Sequence, residues 1–268
     1  MSGSATPTGI PTQQSDAHAG AVYVYGIAPG AAIGEWAGDG DGSVRVIVAG
    51  ELAALVRDLP PDHTPGRRED LEAHRRVLSD AIERTTVIPM RFGIVMDGDH
   101  VVRERLLEQH SDAIGDLLHR LDGHVQMTVK AFYAEDALLR DVLAEHPDLR
   151  RRSAELPALP DVQTRAARIQ LGEAISAAVE ARRAEIEYAL AARLAPYATD
   201  IRVEPPGSER VALNAQLLVP RDRRPELDAV VRELSETLDG ILAFRYVGPL
   251  PPYSFTDISL EEEEDEQP

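Results

Sequence analysis

Apolar and polar residues alternate in short runs along this chain, and between the runs apolar residues recur three and four apart. The two periods mark strands and helices. Val22-Tyr23-Val24-Tyr25-Gly26-Ile27 reads as a first strand. Val44, Val46 and Val48, alternating with Arg45 and Ile47, give a second. Glu51–Asp58 is its hairpin partner, ended by Pro60-Pro61. Over Glu69–Thr85 a helical face carries Leu71, His74, Leu78, Ala81 or Ile82, and Thr85. A short extended stretch, Val87–Val95, is interrupted at Pro89, and Asp99 stands where the next helix needs an N-cap. That helix buries Val102, Leu106, Ala113 or Ile114, Leu117 and Leu121, and Gly123 ends it.

Beyond Gly123 the order of elements becomes regular. Val125, Met127, Val129, Ala131 and Tyr133 define a strand, followed by a short helix near 136–145 and a Pro-containing stretch over 147–162 that reads as a loop. A long helix over about 163–195 carries Leu171, Ile175, Val179, Ile186, Leu190 and Leu194 on one face, with Arg183 and Glu187 spaced to pair on the other. A short strand at Ile201–Glu204, a strand at Val211–Val219, a helix opened by Pro225 and closed by Gly240, and a strand at Ile241–Val247 complete the series. Without the short helix this is β-α-β-β-α-β, the order of a ferredoxin-like fold. The expected fold class is therefore α+β with two domains. Residues 1–20 are a disordered N-terminal segment, 21–122 a distinct small α+β domain, 123–248 the ferredoxin-like domain, and 249–268 a Pro/aromatic tail with an acidic end.

The 268 residues are 43% hydrophobic but only 4% aromatic, so aliphatic residues and alanine must fill the cores. A net charge of −18 argues against nucleic acid and against an anionic membrane surface. The absence of cysteine excludes disulfides and thiolate chemistry. No run approaches the ~20 apolar residues of a membrane span, and no signal peptide is expected.

Catalytic constellations are missing from the pattern. No phosphate-cradling glycine motif, nucleophile elbow or metal-ligand histidine spacing is present, so no catalytic residue, cofactor or metal is expected. Asp39-Gly40-Asp41-Gly42-Ser43 begins like a calcium loop, but Val44 and Gly50 stand where that loop needs Gly and Glu, and a turn is the better reading. His74, on an apolar helix face, reads as a satisfied, half-buried histidine. Lys130, the only lysine, has no general base near it in sequence.

Two segments remain as candidate interaction sites. In Val87-Ile88-Pro89-Met90-Arg91-Phe92-Gly93, Pro89 removes a backbone donor and Gly93 permits a backbone angle other residues resist. Arg91 either pairs with a carboxylate on a bent edge strand or anchors the tail or a partner. In Gly248-Pro249-Leu250-Pro251-Pro252-Tyr253-Ser254-Phe255, the prolines stiffen the chain and Tyr253 and Phe255 supply large contact areas. Pro89, Arg91, Phe92, Gly93, Pro249, Pro252, Tyr253 and Phe255 are the candidate interaction residues, and the tail is expected to pack near Pro89–Gly93.

Taken in order, Val22–Ile27, His74-Arg75-Arg76-Val77-Leu78, Val87–Gly93, Arg210–Val219 and above all Gly248–Phe255 resemble the gas vesicle protein GvpF/GvpL family over about residues 21–256. The resemblance implies a non-enzymatic accessory protein of gas vesicle assembly, located in the cytoplasm and on the vesicle. Such a protein binds the hydrophobic major shell protein, limits its aggregation during nucleation, stays as a minor vesicle component, and has other accessory proteins as possible partners. It also implies a C-terminal ferredoxin-like domain. The chain departs from the family in its first residues and its acidic end. The alternatives are a small-molecule-binding regulatory protein with a ferredoxin-like domain and an enzyme on that scaffold, the latter drawing only on His74, Arg91 and Lys130.

Overall fold

The computed structural model describes residues 20–33, 44–155 and 161–257, without the side chains of 161–164. The expectations for the N-terminal segment, for Asp39–Ser43 and for the acidic end lie outside the described residues. The chain forms a mixed α+β fold with two antiparallel sheets, and it divides into two compact units. One comprises Met1–Val77 and Met90–Gly115, the other Leu78–Pro89 and Asp116–Pro268.

The elements run in the order β1 (Ala21–Pro29), α1 (Gly30–Ile33), β2 (Val44–Ala49), β3 (Leu52–Asp58), α2 (Arg68–Arg84), β4 (Ile88–Pro89), β5 (Val95–Asp97), α3 (Asp99–Val101) and α4 (Ser111–Leu121). In the first unit β3 lies between β2 and β1, and β5 pairs with the start of β1, all antiparallel. Gly50, at φ +58°, makes the tight β2–β3 turn. Residues Val22–Ala28 of β1 are all buried, as a strand covered on both faces requires. Its register against β3 slips between Val24 and Gly26, leaving Tyr25 bulged; the Tyr25 carbonyl accepts a hydrogen bond from Met90 N–H at 2.9 Å.

Two helices differ from the sequence pattern. In α2 the buried face is Asp70, His74, Val77, Leu78, Ala81 and Ile82, while Leu71 is 40% exposed. Asp70 turns inward because it accepts the N–H groups of Gly66 and Arg67 (3.2 and 3.0 Å) at the helix start and faces Arg57 at 3.7 Å. The single helix expected after Asp99 is broken: α3 widens into π-type turns over Val102–Glu108 before α4 begins. Asp99 is not the N-cap. Gly98, at φ +90°, takes that place, and the Asp99 carboxylate pairs with Arg45 instead (Nη1–Oδ2 3.0 Å, Nη2–Oδ1 2.5 Å). Asp58 takes the other side of the same guanidinium.

The second unit contains β6 (His124–Tyr133), α5 (Ala137–Glu145), α6 (Pro147–Glu155), α7 (Asp161–Leu194), β7 (Asp200–Val203), β8 (Val211–Pro220), α8 (Arg224–Thr237) and β9 (Leu242–Leu250). Its sheet order is β7-β8-β6-β9, with every neighbour antiparallel. Val125, Met127, Val129, Ala131 and Tyr133 of β6 and Leu213, Ala215, Leu217 and Val219 of β8 face a core shared with Leu138, Val142, Leu190, Leu194, Leu227, Val230 and Val231 of the helices. The stretch expected as a loop over 147–162 holds α6, because Pro147 sits in a first turn where no donor is needed. Arg183 makes no ion pair with Glu187 among the described residues. It lies over the Tyr133 ring (5.6 Å to the centroid), and its neighbour Arg182 ties α7 to α5 through Asp141 at 2.8 Å and Glu145 at 3.2 Å.

Removing Arg45 isolates a carboxylate, Asp99, that is only 4% exposed. Arg45→Met is expected to destabilise the protein by roughly 3 kcal/mol in urea unfolding. Asp58→Asn, on the exposed side of the same guanidinium, is expected to cost less than about 1 kcal/mol. The double variant Arg45→Met/Asp99→Leu should recover most of the larger loss.

Candidate functional site

The Pro/aromatic tail is a strap across the second sheet. The register between β6 and β9 slips where Gly248-Pro249 lies opposite Met127: Thr128 pairs with Val247 and Gln126 with Leu250. Gly248 has φ +150°; a Cβ there would collide with Met127 Sδ and lie 3.0 Å from the Gln126 carbonyl oxygen. Only glycine permits this approach. The peptide to Pro249 is cis.

From this bulge the chain leaves the β9 edge and crosses the face opposite the helices. Ser254 N–H donates to Gln126 Oε1 at 2.9 Å, on β6. The Phe255 ring is 3% exposed and lies under the Arg202 guanidinium of β7, 5.1 Å from its centroid. Arg202 Nη1 then reaches the Asp257 carboxylate at 2.5 Å. Beneath the strap Gln126 Nε2 and Thr128 Oγ1 both donate to Gln216 Oε1 of β8, at 3.1 and 2.5 Å. Gln216 Nε2 donates to Asn214 Oδ1 at 3.3 Å. Buried amides need such partners, and each amide here serves the next. Of the candidate residues, Pro252 and Phe255 are buried, Pro249 is exposed, and Tyr253 is 40% exposed. Strand alternation placed Gln126, Thr128 and Gln216 on this face, but nothing in sequence marked them, or Arg202, as the seat of the tail.

The other candidate segment is fixed in a different way. Pro89 is buried in β4, whereas Arg91 is exposed and meets no carboxylate among the described residues. Phe92, Tyr23, Tyr25 and His74 form an aromatic cluster in the first unit, with Tyr23–Tyr25 centroids 4.9 Å apart and His74–Phe92 centroids 5.8 Å apart. Gly93, at φ +94°, donates its N–H to the Tyr23 hydroxyl at 3.2 Å. That hydroxyl is in turn hydrogen-bonded to His74 Nδ1 at 2.8 Å. Nε2 faces the Met90 backbone without forming a hydrogen bond of normal geometry. His74 is therefore fully buried and half satisfied, where the sequence suggested half-buried and satisfied. Burial pushes its pKa down, against a smaller opposing pull from the Met90 backbone, and burial pushes the Tyr23 phenol up.

A third feature has no sequence motif. Between α5, α7, α8 and the start of β9 lies an open apolar groove of about 350 Å3, floored by Ile186, Leu190, Leu234, Leu238 and Leu242. Ile241, at its mouth, is 43% exposed. Arg182 and Arg193 stand on the rim, neutralised by Asp141 and Glu233. Such a groove suits an apolar partner surface better than a polar ligand.

The family described as "Gas vesicle synthesis protein GvpL/GvpF" matches residues 21–257. Gas vesicle protein F of Streptomyces sp. (strain CB03234) is 38% identical over 240 residues, 88% of this chain and 99% of the relative. Gas vesicle protein L of the same strain is 31% identical over 232 residues, covering 81% and 85%. The crystal structure of GvpF from Anabaena sp. PCC7120 superimposes with a TM-score of 0.78 at 23% identity, over 90% of this chain and 99% of that one. GvpF from Microcystis aeruginosa superimposes with a TM-score of 0.70 at 24% identity, over 89% and 99%.

Two outcomes follow from this geometry. Gly248→Ala is expected to cost about 2 kcal/mol through overpacking and backbone strain, read by urea unfolding, while Gly207→Ala, whose Cβ meets open space, serves as a neutral control. His74 has a folded-state pKa below its unfolded value of about 6.5. The unfolded chain takes up a proton that the folded chain refuses, so stability is full above that value and falls as pH drops below it, by at most about 1.4 kcal/mol per pH unit. Melting temperature should decline between about pH 7.5 and pH 5.5 more in the wild type than in His74→Gln. Equal declines would remove His74 as the cause.

Proposed function

The chain belongs to the gas vesicle GvpL/GvpF family, and from that premise we propose that it is a non-enzymatic accessory protein of gas vesicle assembly. It binds the hydrophobic major shell protein, limits its aggregation during nucleation, and stays as a minor vesicle component. The observation that carries this reading, beside the family, is the apolar groove of the helical face, with Ile241 exposed at its mouth.

A shell protein that presents an apolar face to gas exposes that face to water before assembly. Covering it removes apolar area from water at roughly 25 cal/mol per Å2. A partner with net charge −18 keeps the resulting complex dispersed by repulsion. The reading takes the second unit as ferredoxin-like, supported by a β-α-β-β-α-β order once α5 and α6 are set aside as insertions and by the antiparallel sheet order β7-β8-β6-β9. The strap then has a defined part: it covers the face of the sheet that the helices leave open, so the helical face alone is offered to the apolar partner. Among the candidate interaction residues, Arg91, Phe92, Gly93, Pro249 and Tyr253 are exposed and available to further vesicle proteins. No described helix is long and apolar enough to cross a membrane.

The test is co-expression with the major shell protein, followed by sedimentation and affinity capture. The shell protein should stay soluble and co-purify with this chain, and capture should survive moderate salt because the contact core is apolar. Ala189→Asp/Ile241→Asp, at exposed groove positions, should weaken capture by about tenfold or more at unchanged melting temperature. Deleting Glu261–Pro268 should lower solubility more than capture. Equal aggregation of the shell protein with and without this chain would sink the proposal.

A further inference from the structure

A second cavity in the same unit lies at the end of β6. It has a volume of about 430 Å3 and is walled by Tyr133, the 134–136 connection, the first turn of α5, Val179 and Arg183 of α7, and the Glu209-Arg210 turn before β8. That volume falls within the ~300–1,000 Å3 of small-molecule sites.

Its interior and its rim differ in chemistry. Tyr133 is 5% exposed, and its hydroxyl has no hydrogen-bond partner among the described residues. A buried orphan hydroxyl costs about 1–3 kcal/mol, a cost that an acceptor brought by a ligand would remove. Arg183 stands over the Tyr133 ring with no carboxylate bound to it among the described residues. Burial pushes the Tyr133 phenol up while Arg183 pulls it down to a lesser degree, so the group stays a protonated donor at neutral pH. Leu138 and Val179 supply apolar wall. The less exposed part of the lining therefore holds a hydroxyl, a guanidinium and apolar surface and no acceptor-only side chain. The rim is the reverse: Glu135, Asp136 and Glu209 are all exposed there, with Arg210 as the one cation.

The lining thus carries three carboxylates against two guanidiniums. A plain anion would be repelled at the mouth, and a plain cation would find no acceptor inside. The geometry points to a site for a small zwitterion, an α-amino acid with an apolar side chain. Its carboxylate is held inside by the Tyr133 hydroxyl and Arg183, and its ammonium lies at the rim among Glu135, Asp136 and Glu209. Asp136, the one described non-glycine residue with positive φ (+55°), is set at that rim by the start of α5. The cavity is separate from the apolar groove, so the inference stands apart from shell-protein binding.

The experiment is calorimetric titration of the full chain with L-leucine, with isovalerate and isoamylamine as its two half-ligands and inorganic phosphate as the simple anion. L-leucine should bind saturably at about 1 mM or tighter, and each of the other three should bind at least about tenfold more weakly. Tyr133→Phe deletes only the orphan hydroxyl; it should weaken L-leucine about tenfold and leave the melting temperature of the free protein unchanged or raised. Arg183→Gln should weaken it at least as much. Absence of saturation below about 10 mM overturns the inference. Equal or tighter binding of phosphate or isovalerate overturns the zwitterion, and unchanged affinity in Tyr133→Phe overturns the placement.

Discussion

A missing side chain at Gly248 sets the arrangement of the second sheet's open face. The bulged β9 backbone holds a positive φ and comes so close to the Met127 thioether and the Gln126 carbonyl that a Cβ would force Met127 aside. That approach turns the chain out of the β9 edge and across the sheet, and the rest follows from the crossing. Ser254 reaches Gln126, Phe255 is buried under Arg202, and Asp257 closes the far side. A four-stranded sheet with helices on one face has a second face to cover. Here the side-chain amides and hydroxyl are not left to water; Gln126 and Thr128 donate to Gln216 and the strap closes over them.

The first unit solves a similar problem with aromatic rings and one histidine. The Tyr23 hydroxyl is hydrogen-bonded to His74 and accepts the N–H of Gly93, so a single hydroxyl joins β1, α2 and the segment after β4. The cost is a neutral histidine with one unsatisfied nitrogen. Arg45 does comparable work with charge, holding a buried Asp99 and a surface Asp58 on one guanidinium. In both units the residues that matter most are polar ones in apolar surroundings, where an unmade bond costs more than a made one gains.

For a protein of the gas vesicle GvpL/GvpF family the division of the second unit's surface is informative. The strapped face is closed by internal hydrogen bonds, while the helical face keeps an apolar groove whose charged rim is already neutralised. Partner binding there would desolvate few free charges, which keeps the polar cost of a hydrophobic contact low.

The sequence by itself determined the strands and helices with strong periodicity. The strands β6, β8 and β9, the helices α7 and α8, and the core positions Val125, Met127, Val129, Leu213 and Leu217 are all legible from spacing, because burial on one face imposes a period of two or 3.6. The motif residues Gly248–Phe255 were equally visible as a rigid, aromatic segment. Other features were decided only by tertiary structure. Leu71 is exposed and Asp70 buried because two backbone N–H groups and Arg57 capture the carboxylate. Asp99 gives up its cap to pair with Arg45, 54 positions away. Arg183 leaves Glu187 for the Tyr133 ring. The tail's seat on Gln126 and Arg202, and the groove between α5, α7 and α8, belong to no local pattern. Periodicity reports which side of an element is dry; it cannot report which distant polar group will meet a buried one, because that pairing depends on distances that exist only once the chain is folded.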